Sequence, residues 1–140
     1  MTGKYWGINP VKVILDTCAL IWSIAEPDRL SRAAQAVLTS DDTEVWVSPI
    51  SCAEVACAVN RGRIKLDRHW RTWFRQYIEL NEWEIFEIDL VTIEEAYSLP
   101  EPFHRDPVDR IVVASARRLD CPIVTADKKL IDYPHIETIW

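Results

Sequence analysis

VKVILDTCALIWSIAEP, residues 11–27, reads as a strand, an acidic stop and then a helix. Only Lys12 interrupts the apolar run VKVIL, which fits a strand buried within a sheet. Asp16 and Thr17 follow at once, and ALIWSIAE then carries a helical pattern until Pro27 stops it. A buried strand followed directly by a helix is half of a parallel βαβ unit.

The rest of the chain continues this alternation. Ser31 can cap a helix over RAAQAVLTS, Val45 to Val47 forms a short strand, and Ser48-Pro49 opens a helix through Glu54 to Asn60. Gly62 marks the end of that helix. Asp67 is the expected N-cap of HWRTWFRQYIEL. WEIFEI (83–88) alternates as a strand, and Thr92 is the expected cap of IEEAYSL. After the breaks at Pro100 and Pro102, HRDPVD forms a loop and helix start, RIVVASARRL is helical, and Ile123 to Thr125 and IETIW are the last strands. The pattern predicts an α/β fold whose central parallel sheet is covered on both faces. Residues 1–10 read as an N-terminal appendage and 11–140 as a single domain.

A chain of 140 residues can bury a core without disulfide or metal support. No apolar run approaches the roughly 18 residues of a membrane span, and the N-terminus lacks the features of a secretory signal. Cys18, Cys52, Cys57 and Cys121 are scattered singly, as reduced thiols of a cytoplasmic protein would be. The net charge of −6 argues against a nucleic-acid partner, unless carboxylates are gathered in one site where cations neutralise them.

Such a site is legible. In open α/β sheets the ligand crevice lies beyond the carboxyl ends of the strands. Asp16 follows the first strand, Asp127 lies two residues past Thr125, Glu54 is early in the helix after VWV, and Asp106 and Asp109 sit at the helix start in HRDPVDR. Taken singly, each acid has a structural explanation as a turn, a cap or a solvated helix residue. Asp16, Glu54, Asp109 and Asp127 together at matching strand exits point to a cluster for a hard cation, Mg²⁺ or Mn²⁺, which prefers oxygen ligands.

The whole pattern resembles the PIN domain, and most closely its VapC-like toxin branch with the HRDPxDR motif. LDTCALIW, SPISCAEVA, HRDPVDRIVVASA and IVTADKKLIDYP are similar to that branch's successive motifs, in order, from about Val11 to Trp140. The resemblance implies a three-layer α/β/α fold and metal-dependent endoribonuclease activity. It also implies an antitoxin partner in a type II toxin–antitoxin pair, and a homodimer. Asp16, Glu54 and Asp109 match the family's principal acids and Asp127 its fourth, all four expected as catalytic metal ligands. Thr125 and Asp106 are expected to support them. Cys18 departs from the pattern, standing where related sequences often carry histidine.

Between Arg61 and Arg75 lie six basic residues against one acid, Asp67, interleaved with Trp70, Trp73 and Phe74. Arg61, Arg63, Arg68 and Arg105 are the expected RNA contacts, while the aromatics recur at the spacing of a helix core face. His104, beside the acidic motif, is a further candidate for touching phosphate. Trp22, Trp46, Trp70, Trp73 and Trp140 supply candidates for a two-fold interface. Two other readings are weaker. A phosphatase of the haloacid-dehalogenase kind needs an aspartate where Cys18 stands, and a receiver domain needs an acidic pair after the first strand. The alternative of a catalytically inactive PIN-like RNA- or protein-binding module is disfavoured because every principal acid is present.

Overall fold

A computed structural model describes residues 11–140, so the expected appendage at 1–10 lies outside the described residues. Five parallel strands form one sheet in the order β3-β2-β1-β4-β5. They are β1 (Val11–Leu15), β2 (Thr43–Val47), β3 (Glu84–Ile85), β4 (Ile123–Val124) and β5 (Thr138–Ile139). The helices are α1 (Thr17–Ala25), α2 (Arg32–Thr39), α3 (Pro49–Asn60), α4 (Trp70–Leu80), α5 (Leu90–Ala96), α6 (Pro107–Leu119) and α7 (Lys128–Ile131).

The pleat of β1 divides the core. Val13 and Leu15 face a cluster with Leu20, Val55, Trp73 and Phe74, which places α1 to α4 on one side. Ile14 faces the opposite cluster, with Val112, Val113, Ala116, Ile123 and Leu130 from α6, β4 and α7. Alternate residues of a strand point to opposite faces, and a strand apolar on both sides becomes the middle of three α/β/α layers. None of Val13, Ile14 and Leu15 is exposed to solvent.

Strand order reverses at β1: β2 and β3 extend the sheet one way, β4 and β5 the other. The boundary between β1 and β4 is therefore the topological switch point, where such sheets open a crevice at their carboxyl ends.

Several boundaries differ from expectation. His69, not Asp67, caps α4, because its Nδ1 accepts the Arg71 N–H; the Asp67 carboxylate is taken by Arg68 instead. Asp89, not Thr92, caps α5, and Thr92 is a buried residue whose N–H and hydroxyl both donate to Asp89. WEIFEI forms a strand only at Glu84–Ile85, on the sheet edge, with the Phe86 N–H donating to the Val47 carbonyl just beyond it. Trp22, Trp46, Trp70, Trp73 and Trp140 do not form an exposed aromatic patch. Trp73 is buried, and Trp22, Trp46, Trp70 and Trp140 are half-buried against the core. Leu90, Val91, Ile93 and Tyr97 of and just beyond α5 are exposed instead.

Candidate active site

The carboxylates reach the carboxyl-end rim from different elements. Asp16, directly after β1, is buried and caps α1: its Oδ1 accepts the Ala19 N–H at 2.8 Å. Its Oδ2 accepts the hydroxyl of Thr125, the residue after β4. This bond crosses the switch point. The Thr125 oxygen in turn accepts the Asp127 N–H at 3.0 Å, and Asp127 caps α7. Glu54 enters from α3 and accepts the hydroxyl of Thr17, which also contacts the Ser51 hydroxyl at 2.9 Å. Asp106 caps α6 by accepting N–H groups from Val108 and Asp109, which leaves Asp109 in the first helical turn.

The electrostatics show that these groups share one field. Burial, then Asp106, Asp127, Glu54 and Asp16, push the Asp109 carboxyl up to about 7. Burial raises Asp16, with Asp127 and Glu54 adding to the shift. Glu54 is raised by burial and by Asp106, against the opposing Thr17 hydrogen bond. Crowded like charges disfavour ionisation, and a bound cation reverses that balance.

Sequence reading did not single out Thr17, Ser51 or Arg110. Ser51 lies one helical turn before Glu54, a spacing that puts both on one face. Arg110 follows Asp109, and its buried guanidinium donates to the carbonyls of Ala96, Phe103 and His104 at 3.0–3.3 Å. Arg105 is exposed in the loop that this arginine holds. Arg61 and Arg63 lie exposed just past the end of α3. Arg68 is exposed but committed, paired to Asp67 and Gln76. Trp73 and Phe74 belong to the core. A cavity of about 570 Å³ lined by Arg117, Cys121, Pro122 and His135 opens where the strands begin and shares no residue with the acidic rim.

The donors suit a hard cation. They are carboxylate and hydroxyl oxygens, and the nearby Cys18 thiol is pushed up by burial and by Asp16, Glu54 and Asp127, away from the thiolate that zinc favours. Among the described residues no three His, Cys, Asp or Glu side chains close into a ready-made cage. Mg²⁺ commonly keeps several waters and needs only one or two carboxylates.

The raised carboxyls fix a pH dependence. Asp109 titrates near 7 when folded against an ordinary 3.8, so between those values the folded chain binds more protons than the unfolded one. Stability of the metal-free protein is then gained as pH falls through about 7 and lost as it rises. Thermal unfolding from about pH 8 to about pH 5.5 should give a rising melting temperature, and Asp109→Asn should flatten the rise. Equal pH profiles for the two proteins would contradict the shift.

Comparison with known proteins shows the family. The family described as PIN domain matches residues 13–136. The chain belongs to the PIN domain family. It is 33% identical over 130 residues to Ribonuclease VapC22 of Mycobacterium tuberculosis (strain ATCC 25618 / H37Rv), covering 91% of this chain and 98% of that protein. Its fold is similar to a chain in a toxin–antitoxin complex from Klebsiella pneumoniae, with a TM-score of 0.64, 19% identity, and coverage of 91% and 96% of the two chains. VapBC2 from Rickettsia felis, bound to a DNA fragment from its promoter, gives a TM-score of 0.67 at 15% identity, covering 91% and 97%.

Proposed function

We propose that this chain is a Mg²⁺- or Mn²⁺-dependent endoribonuclease that hydrolyses RNA phosphodiester bonds as the toxin of a type II toxin–antitoxin pair. The observation that carries the reading is the shared field of acids at the switch point, which drives Asp109 to about 7. The similarity to a ribonuclease supports the activity, and the similar fold in a toxin–antitoxin complex from Klebsiella pneumoniae supports the antitoxin partner.

Asp16, Glu54, Asp109 and Asp127 would hold the cation. When bound, it supplies a water of lowered pKa and offsets charge gathering on the phosphate. The protein's own part is orientation. Thr125 fixes the Asp16 carboxylate, Thr17 fixes Glu54, and Asp106 fixes the start of the helix that carries Asp109. Arg61, Arg63 and Arg105 hold RNA phosphates, with Arg68 a weaker contributor while Asp67 occupies it.

The expected unit is residues 11–140 acting in the cytoplasm as a homodimer. No helix among the described residues is long and apolar enough to cross a membrane. Light scattering at micromolar concentration should give twice the chain mass, and a monomer would remove the dimer from the proposal.

The purified protein should cleave single-stranded RNA with Mg²⁺ or Mn²⁺ and stop when EDTA is added. Cleavage undiminished by EDTA would remove metal dependence. Divalent ion at about 100 times its Kd should stabilise the fold by about 2.7 kcal/mol, read by calorimetry. Neutralising Arg61, Arg63 and Arg68 together should weaken RNA binding and shallow its salt dependence, by about 0.7 in log–log slope for each phosphate that no longer meets a cationic side chain. Fluorescence anisotropy with a labelled RNA measures both. An unchanged slope would place the RNA elsewhere.

A further inference from the structure

His104 stands in the loop before α6 with no part in the scheme above. Its side chain is 25% exposed, yet its Nε2 atom is shut off from solvent and makes no regular hydrogen bond. Asp109 Oδ2 lies 3.1 Å from that atom, close enough to pair but not in line with the N–H. Across the ring, Nδ1 accepts a long 3.4 Å bond from the Asp106 N–H. An acceptor at Nδ1 leaves Nε2 to carry the proton of the neutral imidazole. The proton-bearing Nε2 therefore lies beside Asp109 Oδ2, off the line of a hydrogen bond.

The ring is held by its neighbour Phe103. It packs at a tilt against Phe103, 4.4 Å between centroids, and Phe103 packs likewise against Tyr133 at 4.5 Å. The His104 and Phe103 carbonyls accept from Arg110, the residue after Asp109. One turn of α6 thus presents the carboxylate and also anchors the loop that presents the imidazole.

We propose that His104 is a positioning residue for metal binding, fixing the Asp109 carboxylate toward the cation through its Nε2–H. This rests on Asp109 being a metal ligand. Outer partners of ligating groups commonly set their orientation, and losing one typically weakens metal binding roughly 10–100-fold.

The test is Mn²⁺ titration calorimetry on otherwise metal-free protein, beside thermal unfolding without metal. His104→Ala should weaken Mn²⁺ binding roughly 10–100-fold. His104→Gln, whose amide N–H can replace the Nε2 donor, should recover most of that loss. The glutamine lacks the ring, so its recovery cannot come from packing on Phe103. His104→Leu, which keeps bulk without a donor, replaces the alanine variant if that one does not fold. Wild-type Mn²⁺ affinity in the alanine or leucine variant, or no recovery with glutamine, overturns the role. Asp109→Asn run in parallel separates the two ideas. If it loses Mn²⁺ affinity while His104→Ala does not, only the histidine's role falls. If it binds Mn²⁺ as wild type does, the ligand assignment falls as well.

Discussion

Asp109→Asn is expected to lower RNA turnover by roughly 10²–10³-fold, the loss typical of deleting one preorganised electrostatic contact to a transition state. The substitution keeps size and removes the charge on which a cation depends. Folding should survive it. Asp109 is the acid most strongly opposed by its surroundings, with burial and four neighbouring carboxylates all disfavouring its ionised form, so the neutral amide should leave the metal-free protein as stable as wild type at neutral pH, or more so. RNA binding should persist, since less negative charge then faces the phosphates. Single-turnover cleavage, RNA anisotropy and a melting curve on one preparation separate these effects. A variant that loses turnover only because it unfolds would contradict the electrostatic explanation.

Arg110→Ala should have the largest effect on stability. Its side chain is 9% exposed, and three backbone carbonyls, of Ala96, Phe103 and His104, accept from it. Removing the guanidinium leaves those acceptors without their partner and opens a gap beside Phe103 and Tyr97. A cost of roughly 2–4 kcal/mol follows from buried polar groups losing their hydrogen bonds. For a domain of this length that is about 10 °C in melting temperature. Arg110→Lys keeps the charge but not the planar fork and should recover only part of the loss. Turnover should fall as well, since the loop from Phe103 to Asp106 leads directly into the cap of α6. An alanine variant melting within about 2 °C of wild type would show that water replaces the arginine at little cost.

The fold was legible where local pattern and burial agree. VKVIL, followed at once by Asp16, marks a central strand because nothing but a two-sided core accommodates it, and Ser31 and Ser48 cap helices as their spacing requires. The reading failed where two neighbours compete for one role. Asp67 and His69 both precede α4, and Arg68 captures the aspartate. Asp89 and Thr92 both suit the start of α5, and the aspartate takes both of the threonine's donors. WEIFEI alternates well, but as an edge strand it has one neighbour, β2, which ends at Val47 opposite Ile85, so the ladder stops there. The acids could be gathered from sequence because strand exits of a parallel sheet share one rim. Their supports could not. Hydroxyls such as Thr17 and Ser51 are ordinary at helix starts, and the acceptors that Arg110 satisfies are main-chain carbonyls that carry no side-chain signature.

Asp16→Asn tests the central claim most directly. Asparagine is as good an N-cap as aspartate, so it can still accept the Ala19 N–H and keep α1 in place. What it lacks is the negative charge at the switch point, next to Thr125. Wild type and Asp16→Asn, purified in parallel and assayed on one single-stranded RNA with Mg²⁺ or Mn²⁺, should differ by roughly 100-fold or more in cleavage rate. Equal cleavage by the two proteins, in preparations shown to be free of contaminating nuclease, would contradict a metal-dependent carboxylate site at the carboxyl end of this sheet.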